Sequence, residues 1–115
     1  RGDVCKGGLR ISSDGRDIED ASLLMAGAVF YGNDIRIGRG CLVEPGAMIT
    51  GPALIGDRSE VRQGAYMRGN CLVGCGCVVG HATEVKNAIF LDGAKAGHFA
   101  YIGDSIIGNG ANLGA

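Results

Sequence analysis

A chain of 115 residues has room for one small domain. An apolar content of 46% excludes a disordered charged segment, and a net charge of −1, from 11 basic and 12 acidic residues, gives no electrostatic footprint for nucleic acid or a membrane surface. No apolar run approaches the roughly 18 residues of a membrane helix, so a cytoplasmic protein with no nucleic-acid or membrane partner is expected.

Glycine is the compositional outlier, at 22 residues, while aromatics are 5% and Trp is absent. Two prolines and no Gly-X-Y period exclude collagen. The first segment, residues 1–24, carries Gly7-Gly8 and the polar stretch Ser12 to Asp17. It reads as a loop or capping segment. Its apolar residues Leu9, Ile11 and Ile18 are placed to cover an open sheet edge.

Residues 25–115 repeat. From Ile37, steps of six reach Val43, Ile49, Ile55, Val61, Met67, Val73, Val79 and Val85. One step of five reaches Phe90; sixes then give Ala96 and Ile102, a second five gives Ile107, and a six gives Leu113. Every stop is apolar. Four residues after most of them stands a small side chain: Cys41, Ala47, Ala53, Ser59, Ala65, Cys71, Cys77, Thr83, Ala94, Ala100 and Ala111. Counted this way, Ile89 and Ile106 interrupt the column at the two short steps.

A period of six fits neither a helix of 3.6 nor an alternating strand of two. It fits a polygonal solenoid. Each hexad is a short strand and a corner, with the aliphatic residue inward and Gly, Asn or Asp turning the chain. Three hexads close a triangular coil of about 18 residues, and coils stack as parallel strands about 4.8 Å apart. The expected class is therefore all-β, a triangular solenoid of hexapeptide repeats, with the repeat cut short at the C-terminal end.

Five cysteines are an odd number, and no secretory context supports a disulfide framework. Cys71, Cys75 and Cys77 have no second Cys or His pair at zinc spacing, so reduced thiols acting as small hydrophobes are expected and no metal is.

Three stretches carry a resemblance. Val61-Arg62-Gln63-Gly64, the run Gly80-His81-Ala82-Thr83-Glu84-Val85-Lys86-Asn87, and the run Lys95-Ala96-Gly97-His98-Phe99-Ala100-Tyr101-Ile102-Gly103-Asp104 resemble the hexapeptide-repeat superfamily. Within it they are most similar to the acetyltransferase domain of the bifunctional N-acetylglucosamine-1-phosphate uridyltransferase/glucosamine-1-phosphate acetyltransferases. Related sugar-1-phosphate nucleotidyltransferase-like proteins carry similar repeats. The resemblance implies a left-handed parallel β-helix, a homotrimer, and acetyl-CoA as donor to an amino sugar phosphate. It implies His98 as the general base, Arg62 and Lys86 as phosphate-holding cations, and Tyr101 and Asn112 as sugar-site residues.

The chemistry is coherent on its own terms. An imidazole can take the proton released when an amine attacks a thioester, and fixed cations can hold a phosphate. His81 and His98 are 17 residues apart, one coil containing a short step, so they should stack on one wall. His81 is a possible accessory group. Arg62 belongs to the same wall one coil lower, and Lys86 to the next wall. The competing reading is a non-catalytic oligomerisation or effector-binding domain of a nucleotidyltransferase-like protein. A zinc hydratase on this fold needs three His ligands where only two exist, and a surface-binding solenoid needs Thr ladders where only Thr50 and Thr83 exist.

Overall fold

The computed structural model describes residues 16–18 and 22–113. Among them there is no helix; the chain winds as parallel strands on three walls. Wall 1 holds β1 (Arg16–Ile18), β4 (Ile35–Ile37), β7 (Ala53–Ile55), β10 (Cys71–Val73), β13 (Ala88–Phe90) and β16 (Ile106–Ile107). Wall 2 holds β2 (Leu23–Leu24), β5 (Leu42–Val43), β8 (Glu60–Val61), β11 (Val78–His81), β14 (Lys95–His98) and β17 (Asn112–Leu113). Wall 3 holds β3 (Val29–Tyr31), β6 (Met48–Thr50), β9 (Tyr66–Met67), β12 (Glu84–Lys86) and β15 (Tyr101–Gly103). Strand pairing thus reaches upstream of Met25, through β1 and β2; the rest of the expected capping segment lies outside the described residues.

The hexad column is the core. Ile37, Val43, Ile49, Ile55, Val61, Met67, Val73, Val79, Val85, Phe90, Ala96 and Ile102 are all buried, with Ile107 and Leu113 packed against them. Register explains the period: Ile37 faces Ile55, which faces Val73, so each inward residue lies on its equivalent one coil away. A single hexad could not bury its aliphatic group; the stack makes one continuous interior.

The interruption at Ile89 disappears in three dimensions. Counted backwards, every small residue precedes its inward partner by two: Cys71 before Val73, and Ala88 before Phe90. Cys71 pairs with Ala88, which is 2% exposed, while Ile89 faces outward and is half-buried. The short step removes a residue from the corner between walls 3 and 1, where Asn87 alone takes a left-handed φ of 50°.

Polar members of the small column stitch coils together. The buried Ser59 hydroxyl donates to the Gly74 carbonyl at 2.7 Å and accepts from the Cys77 N–H at 3.0 Å. Cys41, Cys71 and Cys77 are free and buried, as small hydrophobes should be. Cys75, in a turn, is disulfide-bonded, so the reduced-thiol expectation holds for those three and fails at Cys75, while Cys5 lies outside the described residues.

Burial pushes all three free thiols above the ordinary value of 9.0. The folded thiols keep protons that the unfolded chain releases once pH passes 9.0. Stability is therefore unaffected below that pH and falls above it, by up to about 1.4 kcal/mol per pH unit per thiol. Urea melts across this range are expected to show the decline, and Cys77→Ala to make it shallower; equal slopes would contradict it.

Candidate active site

β11 and β14 pair with His81 opposite His98. Both imidazoles stand where wall 2 turns into wall 3. Their centroids are 5.7 Å apart and their planes 10° from parallel, the vertical stacking the spacing predicts. His98 is exposed and His81 half-buried. The corner behind them is tied by Thr83, whose buried hydroxyl donates to the His81 carbonyl at 3.3 Å and accepts from the Ala100 N–H at 3.4 Å. The Phe99 N–H adds a bond to the His81 carbonyl at 2.7 Å. The rings therefore ride on a corner stitched to the coil below.

Arg62 follows β8 on the same wall, one coil beneath His81, as expected. Its Nε donates to Glu60 Oε1 at 3.2 Å, with the two side chains 33% and 42% exposed. An exposed pair of this kind contributes about 0–1 kcal/mol, so a phosphate can compete for the guanidinium at little cost. In the next two coils the position of Arg62 is taken by Gly80 and Gly97, because Val61 pairs with Val79 and Val79 with Ala96. Among the described residues no side chain rises from that column above Arg62.

Lys86 and Tyr101 lie on wall 3. Tyr101 opens β15 opposite Glu84, and Lys86 closes β12 opposite Gly103. The Tyr101 ring lies along its own strand: a Cβ on Gly103 would sit 2.6 Å from the phenol oxygen. The phenol is thereby carried to the end of the wall that holds exposed Lys86. Asn112 opens β17 opposite Lys95, at the end of wall 2 away from His98. Within one chain the six residues therefore form a corner (His81, His98), a cation below it (Arg62), a phenol–ammonium face next door (Tyr101, Lys86) and a separate amide (Asn112).

The Arg68–Glu84 pair, 2.6 Å apart on wall 3 between the levels of Tyr66 and Tyr101, was not legible in the sequence. Only register brings the two together. The hydrogen bond that the Arg68 guanidinium donates to Glu84 raises it above its ordinary value. Among the described residues no group of three or more His, Cys, Asp or Glu could hold a metal ion, and no helix is long and apolar enough to cross a membrane.

Residues 49–115 match the family described as the GMPPB C-terminal domain, and the chain belongs to that family. It is 36% identical over 103 residues to the bifunctional protein GlmU of Thermodesulfovibrio yellowstonii, covering 76% of this chain and 23% of the relative. It is 34% identical over 114 residues to GlmU of Stutzerimonas stutzeri, covering 90% of this chain and 25% of the relative. The chain thus spans about a quarter of the length of these curated relatives. Among solved structures it is similar to a mutant of perosamine N-acetyltransferase from Caulobacter crescentus in complex with CoA and GDP-perosamine, at 23% identity and a TM-score of 0.43, covering 87% of this chain and 48% of that one.

Proposed function

We propose that this chain is the acyl-transfer domain of a sugar-modifying enzyme. It moves an acetyl group from acetyl-CoA to the amine of a glucosamine-1-phosphate-like acceptor. The observation that carries this reading is the His98 imidazole: exposed, held on a stitched corner, on the wall of one cation and beside the wall of another. The relatives named GlmU and the resemblance of the His98 run support it.

The neutral amine attacks the thioester carbonyl carbon, forming the C–N bond. The proton lost from nitrogen goes to His98, the C–S bond breaks, and the proton is returned to the departing thiolate. Arg62 and Lys86 hold the phosphate, and Tyr101 and Asn112 face the sugar. Asn112 lies at the far end of wall 2 from His98, so a complete site draws it from another prism. That agrees with a homotrimer whose clefts combine walls of neighbouring copies.

The second reading, a non-catalytic assembly or effector-binding domain, is favoured by Arg62 already having Glu60 as a partner. Release of coenzyme A from acetyl-CoA with glucosamine-1-phosphate decides between them. Release must depend on the acceptor, and none above background would leave only the second reading. Removing the phosphate contacts gives a further expectation: Arg62→Ala and Lys86→Ala each raise the acceptor KM about tenfold or more, with kcat changed less, because each removes a charge-assisted bond of about 1.5–3 kcal/mol. An unchanged KM in both would exclude them as phosphate holders. Sedimentation gives the assembly state, and a monomer would count against both readings.

A further inference from the structure

Wall 1 differs from the other two on its outer face. Its outward residues in four successive coils are Leu54, Leu72, Ile89 and Ile106, each set over the last by register. No charge interrupts them, whereas over the same coils wall 2 presents Glu60 and Lys95, and wall 3 presents Arg68 and Glu84. Two residues before each aliphatic, the corner between walls 3 and 1 carries Pro52, Asn70, Asn87 and Asp104 in turn. The last three sit in left-handed backbone, with φ of 54°, 50° and 49°. Turn chemistry accounts for Asn and Asp at such a corner. It does not account for an unbroken aliphatic ladder beside them.

Between the polar corner and the ladder runs a groove of two cavities, about 470 and 310 Å³, which share Asn70 in their lining. Pro52, Leu54 and Leu72 line the lower one, with Asp34 and Arg36 at its foot. Asn87, Ile89, Asp104 and Ile106 line the upper one. Volumes of this size suit a small ligand held by an apolar surface and a few polar groups. The Asn87 amide donates from Nδ2 to Asp104 Oδ1 at 2.6 Å, which leaves its carbonyl oxygen and second N–H outward. Among the described residues the exposed Asn70 amide has no hydrogen-bond partner.

We propose that this groove binds an extended, uncharged oligosaccharide, one ring to a coil, through Asn70, Asn87 and the ladder of Leu54, Leu72 and Ile89. A sugar ring has a C–H face for the aliphatic side and hydroxyls for amides that both donate and accept. The ladder repeats about every 4.8 Å, close to the advance of one ring in an extended glycan. Other occupants fit less well. Strands β4 to β13 are paired on both sides, so the groove offers no open edge to a peptide strand. A hydrocarbon tail would cover the ladder but strip water from both amides without replacing its hydrogen bonds. A phosphate would meet Asp34 and Asp104, with Arg36 alone among the described lining residues to offset them. The site is independent of His98, which stands at the corner of walls 2 and 3.

Calorimetric titration of the whole protein with chitotetraose and with cellotetraose is the test. At least one is expected to bind with a Kd of about 1 mM or below, and binding of neither overturns the proposal. Asn70→Gly suits the left-handed corner, and Leu72→Lys keeps a long side chain at an exposed position, so both are expected to melt within a few degrees of the parent. Each is expected to weaken tetrasaccharide binding about fivefold or more, while coenzyme A release from acetyl-CoA stays that of the parent. Should either melt early, Asn87→Gly reads the same groove from the next left-handed corner. A folded variant that binds within twofold of the parent overturns the assignment. So does competition by glucosamine-1-phosphate, which would move the sugar to the His98 corner. A fall in sedimenting mass with Leu72→Lys would show a second copy covering the wall, and would overturn it as well.

Discussion

Replacing His98 by asparagine is expected to lower kcat for acetyl transfer by about 10²–10⁴-fold, the usual contribution of a positioned general base. Asparagine keeps a polar side chain at the exposed corner but cannot take up a proton. The loss should fall on kcat rather than on the acceptor KM, since phosphate binding is assigned to Arg62 and Lys86. The fold should be untouched, because the corner is held by Thr83 and by the Phe99 N–H, not by the imidazole. Initial rates of coenzyme A release, with melting temperatures alongside, test this. A kcat within threefold of the parent would sink the assignment.

Phe90→Ala should unfold the solenoid far more readily, costing about 3–5 kcal/mol. Phe90 is fully buried on wall 1, between Val73 and Ile107, at the level where the first short step tightens the coil. Truncating it leaves a cavity that the stacked neighbours cannot readily close, since Val73 is held by strands on both sides and Ile107 is paired to β13 itself. The midpoint of urea unfolding should drop without a change of slope, and a loss under 1 kcal/mol would mean the interior collapses more easily than a stacked ladder allows.

The inward column was legible because burial of one residue per six has a single geometric solution. The backward count of small residues was not, since Ile89 and Ile106 look like breaks until the pairing of Cys71 with Ala88 shows that a corner residue is missing. The stacked imidazoles were predictable from their separation, because one coil translates a residue onto its equivalent. The lie of the Tyr101 ring over Gly103 and the ion pair of Arg68 with Glu84 were not, since each depends on which side chain a neighbouring coil presents.

By itself the amino-acid order settled the three walls, the interior and the face that carries each candidate residue, because periodic burial is encoded locally and repeats. Only the folded chain decided how side chains meet across coils. It set Asn112 apart from His98 and laid the Gly97 carbonyl directly over Gly80. Those outcomes depend on register and on the exact height of one corner over another, which no spacing along the chain specifies.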